Sequence, residues 1–185
     1  MKYLKNHGLL VAVLIIGVVG FGVWYVRQNT DENITSGAVD LSSVTVEVPL
    51  VETPVTLANG TAQLPSDDSA SGGTVTVTAP YANSGADQFA IMSVNYGGSG
   101  TFEYLVMFVP NSEGVLVQRG LYSLGDRVKV ESIAPQGGGL RYSVLVTYLD
   151  FAAGESYADA PTERVSANVP VVNHSIVENG TTSES

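Results

Sequence analysis

The sequence predicts an all-β fold, an antiparallel sandwich or small barrel of roughly eight or nine strands, attached to one N-terminal transmembrane helix. Three observations carry that expectation. Beyond residue 26 the apolar residues recur with a period of two, and nowhere with a helical period of useful length. Turn-forming Gly, Pro, Asn, Asp and Ser interrupt the chain every ~8–12 residues. Residues 8–26 form one uncharged, apolar run.

The longest strand signal is Thr101 to Val109. In it Phe102, Tyr104, Val106 and Phe108 alternate with Glu103, Leu105 and Met107. Both faces are mostly apolar, which predicts a central strand. Pro110-Asn111-Ser112-Glu113-Gly114 supplies the turn formers of a hairpin, and the chain returns from Val115 to Arg119.

The other elements follow by the same reading. Val44 to Val48 alternates, and Asn59-Gly60 suits the two positive-φ positions of a type I′ turn. With that turn as the loop, Leu57 faces Ala62 and Val55 faces Leu64. Thr74 to Thr78 places Val75 and Val77 on one side, and Gln88 to Asn95 is a compact apolar strand. Arg127 to Ile133 precedes a Pro/Gly turn. In Leu140 to Leu149, Leu140, Tyr142, Val144, Val146 and Tyr148 share one face; Val106 and Leu145 are also assigned to the core. Phe151 to Pro161 is a long loop. Arg164 to Val172 is a last strand that Pro170 places near an edge.

As a helix, Gly8 to Val26 reaches roughly 28 Å, close to the thickness of a hydrocarbon core. Twelve of its residues are Leu, Ile, Val or Phe, a gross insertion preference on the order of −4 to −7 kcal/mol before the glycines reduce it. Lys2 and Lys5 keep residues 1–7 in the cytoplasm, and Trp24 and Tyr25 fall where an interfacial aromatic belt sits. A cleaved signal peptide would have a shorter apolar region followed closely by small residues, whereas Arg27-Gln28-Asn29 follows here. The division is therefore a cytoplasmic start (1–7), an anchor (8–26), a polar tether (27–43), an extracytoplasmic β domain (44–172) and a frayed tail (173–185).

Composition narrows the chemistry. The chain has no cysteine, which excludes disulfides, thiolate catalysis and cysteine metal sites. All 18 acidic residues follow the apolar run, and from Gln28 onward they stand against only five of the eight bases: Arg119, Arg127, Lys129, Arg141 and Arg164. An ectodomain so acidic repels phosphate backbones, and nucleic acid is not an expected partner.

The words Gly97-Gly98-Ser99-Gly100-Thr101-Phe102 and Leu124-Gly125-Asp126-Arg127-Val128 resemble a family of uncharacterised extracytoplasmic bacterial domains found behind a signal sequence or membrane anchor. The likeness runs from about Val51 through Gly154-Glu155 to Pro161. It implies a location and an architecture, and no reaction. Members of that family often carry an acidic segment before the strand preceding GGSG; here Asn83-Ser84-Gly85-Ala86-Asp87 holds a single carboxylate.

Candidate chemistry is sparse. Ser99 lacks the second glycine of a nucleophile elbow and precedes a strand rather than a helix. His7 precedes the anchor and His174 lies in the expected tail, so neither a Ser-His-Asp arrangement nor a histidine metal site is expected. Asp126 follows a glycine and suits a turn carboxylate that accepts backbone N–H groups two residues on. Asp126, Arg127 and Lys129 with Glu103 form the candidate ligand or partner contact. Glu103 is expected to pair with Arg119, Arg127 or Arg141 across the sheet. Asp67, Asp68 and Asp150 fall short of a dedicated calcium loop. No catalytic residue, cofactor or metal is assigned.

The functional expectation is a single-pass membrane protein whose extracytoplasmic β domain binds or scaffolds, with an envelope protein or glycan as partner. The alternatives are an envelope hydrolase working through Glu103 and Asp126, and a subunit of a surface assembly.

Overall fold

The computed structural model describes residues 40–65, 72–78 and 82–177. The expected anchor at 8–26, the tether up to residue 39, Asp67, Asp68 and the chain from 178 onward lie outside the described residues. Among the described residues no helix is long and apolar enough to cross a membrane.

Eleven strands are present in this described part: β1 (Thr45–Val46), β2 (Val55–Thr56), β3 (Thr61–Gln63), β4 (Thr74–Val77), β5 (Ala82–Ser84), β6 (Asp87–Asn95), β7 (Phe102–Pro110), β8 (Leu116–Asp126), β9 (Lys129–Gln136), β10 (Arg141–Asp150) and β11 (Glu163–Val172). All their pairings are antiparallel, as the alternation predicts. The count exceeds eight or nine because β1, β2 and β5, of two or three residues each, are too short to leave a periodic signal.

The strands form three sheets. A six-stranded sheet has the order β3-β4-β6-β7-β8, with β5 also paired to β6; β11-β10-β9 form a second sheet and β1-β2 a third. The register of β6 against β7 sets the layering. Phe89, Ile91, Leu105 and Met107 fall on one face of the large sheet and pack with Ile133, Val144, Val146, Tyr148, Val169 and Val171 of the three-stranded sheet. Ala90, Met92, Val94, Tyr104, Val106 and Phe108 fall on the other and pack with Leu41, Val44, Val46, Val48, Leu57 and Leu64. The pleat sends alternate residues to opposite faces. A strand covered on both faces must therefore be apolar at every position, and β7 is so through its middle.

β8 is longer than the expected return strand, reaching Asp126 through two bulges, opposite Glu103/Tyr104 and Met107/Phe108. Each bulge re-aims the strand. Gly120 has φ +139°, and a Cβ there would lie 3.0 Å from the Ile176 side chain, so a glycine fits both the backbone and the space.

Four expectations are corrected. The Asn59-Gly60 turn forms, with φ of 54° and 78°, but its arms diverge after the Ala58–Thr61 bridge. β2 pairs with β1 and β3 with β4, so Leu57 and Leu64, each just after its strand, reach the same core from the ends of two different sheets. Leu140 leaves the inward face and is 61% exposed, because β10 starts one residue later. Leu145 lies on the half-exposed outer face with Arg141, Ser143 and Thr147, not in the core. The expected frayed tail is packed over 173–177: Ile176 is buried, Asn173 N–H donates to Leu140 O and Val177 N–H to Pro170 O.

A charge at Val106 has no route to water, whereas one at Leu145 can turn outward. Val106→Asp should abolish the cooperative melting transition, and Leu145→Asp should only lower its midpoint, as circular dichroism melts would read.

Candidate functional site

The chain crosses from the large sheet to the three-stranded one between Asp126, the last residue of β8, and Lys129, the first of β9. Leu124 and Val128 plug this corner into the core. Between them Gly125 takes φ +141°, and a Cβ there would sit 2.9 Å from Val128. Arg127 takes φ 56°, which reverses the chain.

Against this corner lies the loop joining β6 to β7. Asn95 organises it: its side-chain oxygen accepts from Gly97 N–H at 2.7 Å and its amide donates to the Gly98 and Gly100 carbonyls at 3.0 and 2.8 Å. Asp126 Oδ1 accepts from Thr101 N–H at 2.9 Å, and Arg127 N–H donates to Thr101 O at 2.6 Å. A Cβ on Gly100 would come within 3.0 Å of Asp126 Oδ1. The two glycine-bearing words of the sequence are thus two halves of one corner, and the glycine of the first makes room for the carboxylate of the second.

The Arg127 guanidinium spreads over this corner. Its Nε and Nη2 donate to Asp126 Oδ2 at 3.3 and 3.0 Å, and Nη1 donates to Tyr157 O at 3.3 Å. Its Cζ lies 4.4 Å from the centroid of the Tyr157 ring, which is itself braced edge-on by Phe151 at 4.7 Å. Such stacking holds a cation over a π face. Tyr157 is 56% exposed. The loop that carries it is tied by Glu155, whose carboxylate accepts from the Thr162 hydroxyl and from Ala152 N–H at 2.8 Å and is held below the usual carboxylate range by those bonds.

Of the four expected contact residues, the structure brings Asp126 and Arg127 together. Lys129 is exposed on β9 opposite Leu149. Glu103 is elsewhere: it pairs with Gly125 while Asp126 pairs with Phe102, so the two carboxylates belong to opposite faces of the pleat. Nor does Glu103 meet an arginine. Its carboxylate takes the Ser93 hydroxyl at 2.6 Å, and burial raises its pKa above the usual carboxylate value against the lowering effect of that bond. Ser99 sits inside the Asn95 loop, and among the described residues no hydrogen bond joins it to a histidine.

Sequence reasoning missed a second polar cluster. Asp87, 1% exposed at the start of β6, accepts the Tyr142 hydroxyl at 2.6 Å and faces His174 Nδ1 at 2.8 Å. Burial and the adjacent carboxylate raise the Tyr142 pKa. His174 and Asn173 both have positive φ, so the backbone bends to bring the imidazole back onto β6. The available signal was Tyr142 on an inward face, since a buried hydroxyl needs a partner. A carboxylate orienting an imidazole is also the geometry of a general-base pair, but no serine hydroxyl is bonded to His174 among the described residues. The cluster ties the segment after β11 to β6. Among the described residues no group of three or more His, Cys, Asp or Glu could hold a metal ion.

Searches against protein-family models, curated proteins and solved structures return no match for this chain.

Two outcomes follow. Removing the Tyr142 hydroxyl leaves a buried carboxylate short of a donor, so Tyr142→Phe should cost about 1–3 kcal/mol in denaturant titration. For Glu103 the raised folded-state pKa favours the protonated form. Its contribution is full below the unfolded carboxylate pKa and is lost as pH rises through the folded value. Glu103→Gln keeps a partner for Ser93 without that loss, so the melting midpoint of the variant should gain on wild type as pH rises from 4 to 7.

Proposed function

We propose that this chain is a single-pass membrane protein, anchored by residues 8–26 with its N-terminus cytoplasmic, whose β domain binds an envelope glycan outside the membrane. The observation that carries the binding reading is the Arg127–Tyr157 platform: a guanidinium held in place by Asp126 and stacked on an exposed, braced ring. Such a platform offers a flat face for a sugar ring and planar donors for a carboxylate. Lys129, two residues along, adds a second cation on an otherwise acidic chain. The ligand that this chemistry suits is an anionic saccharide. The resemblance of the GGSGTF and LGDRV words to extracytoplasmic domains behind an anchor supports the location, and their contact supports reading them as one structural unit.

The hydrolase alternative draws no support from the register. Glu103 and Asp126 belong to opposite faces, and each is engaged by protein groups, so they do not flank one bond as a glycosidase pair must.

The test is the melting midpoint of the full chain with peptidoglycan fragments and other envelope glycans. A ligand at a hundred times its dissociation constant adds about 2.7 kcal/mol, a rise of roughly 5–10 °C. Tyr157→Ala and Arg127→Asn, which keeps a residue tolerant of positive φ, should each cancel the rise. A rise that survives both places the ligand elsewhere. Protease added outside intact cells should digest the β domain; protection would overturn the orientation.

A further inference from the structure

β8 is an edge strand of the six-stranded sheet, with no strand on its far side among the described residues. An edge presents free N–H and C=O groups to any extended chain that approaches. The protein covers this edge in part. Ser175 Oγ donates to Arg119 O, and Ile176 packs against Gly120. One step earlier, Gln118 bridges to Glu47 through two bonds, Glu47 N–H to its Oε1 at 3.0 Å and its Nε2 to Glu47 O at 3.2 Å. That side-chain bridge stands where a backbone ladder would close the gap. Below it the edge is left open.

The opening is a groove of about 590 Å³ lined by Val115, by Leu116 and Val117 of the edge, by the β1 segment and by Pro54, with the carboxylates Asp40 and Glu47 also in its lining. A second depression, which also contains Glu47 and Pro54, continues it past Glu52 and Val51. Val115 and Val117 are among the few large apolar side chains left exposed, and Leu50, beside the second depression, is 93% exposed. Leu50 also has φ 64°. A leucine in the left-handed region costs backbone energy that Gly or Asn would not. The fold therefore holds a strained, apolar side chain in water, between Pro49 and Val51, which line the second depression.

We propose that this groove takes an extended segment of a partner protein, added as a strand along Val115–Val117, with apolar side chains on one face and lysine or arginine on the other. The backbone edge provides the ladder, Val115, Val117 and Leu50 the apolar contacts, and Asp40, Glu47 and Glu52 the counter-charge. A second copy of this acidic chain would bring like charge to an acidic rim. An anionic lipid surface is repelled by the same carboxylates. The groove lies at the opposite end of β8 from Arg127 and is independent of the glycan reading.

The probe is a labelled ten-residue peptide of alternating valine and lysine, titrated into the full chain in mild detergent and read by fluorescence anisotropy. Saturable binding is expected, with none for the valine–glutamate peptide. Leu50→Asn relieves the strained backbone, so it should raise or preserve the melting midpoint while weakening the peptide tenfold or more. Val117→Lys should weaken it equally without unfolding the chain. Equal binding of both peptides, or unchanged affinity in the two variants, would overturn the proposal. So would binding of neutral or anionic phospholipid vesicles in place of the peptide.

Discussion

The pairing of β6 with β7 is the constraint on which the rest depends. Seven consecutive residue pairs, Gln88–Phe108 through Val94–Phe102, send side chains alternately into two separate cores. A slip of one residue would exchange the two cores completely. Neither outer sheet has a second place to bury its apolar face, so the outer sheets are stable to the extent that this seam is. Phe89, Met92, Leu105, Met107 and Phe108, the largest fully buried side chains, all lie on it.

The corner chemistry follows from that seam. A chain that covers both faces of one sheet must leave that sheet and return over it, and it does so at Asp126–Lys129. The turn there needs a residue at positive φ, a glycine that lets Val128 approach, and an acceptor for the Thr101 amide left at the entry to β7. The same requirements place Arg127 on the outside of the corner, where the 151–162 loop can lay Tyr157 beneath it. The candidate platform is thus a by-product of a structural necessity, with an exposed aromatic added. The tie from Asp87 to Tyr142 and His174 works in the same way at the start of β6, where it fastens the residues after β11 back onto that strand.

How far the sequence was legible depended on how local each determinant was. Both faces of β7 are written in one nine-residue stretch, so its central place could be read directly. Asn59-Gly60 announced a turn, and a turn it is, but sheet membership beyond it is decided by the partners Val44 and Gly73, far away in sequence. Leu140 fits the alternation of β10 and still lies outside, since nothing in the pattern says where a strand begins. That Asp126 accepts a backbone N–H was legible from its glycine neighbour, but the donor is Thr101, 25 residues away, and not an amide two residues on; Tyr157 was not legible, because an aromatic residue in a polar loop carries no periodic mark. His174 was misread because its ordering comes from a carboxylate 87 residues away. The departure of Glu103 from its expected arginine has a similar cause: the register sets it beside Ser93.

The most direct test of this account is native-state hydrogen exchange of the backbone amides. If β6 and β7 are the seam shared by both cores, their amides should exchange only through global unfolding and be the slowest in the chain, with those of β1, β2 and the 173–177 segment opening earlier. Amides of β7 that exchange through a smaller opening, with one core lost while the other persists, would contradict it.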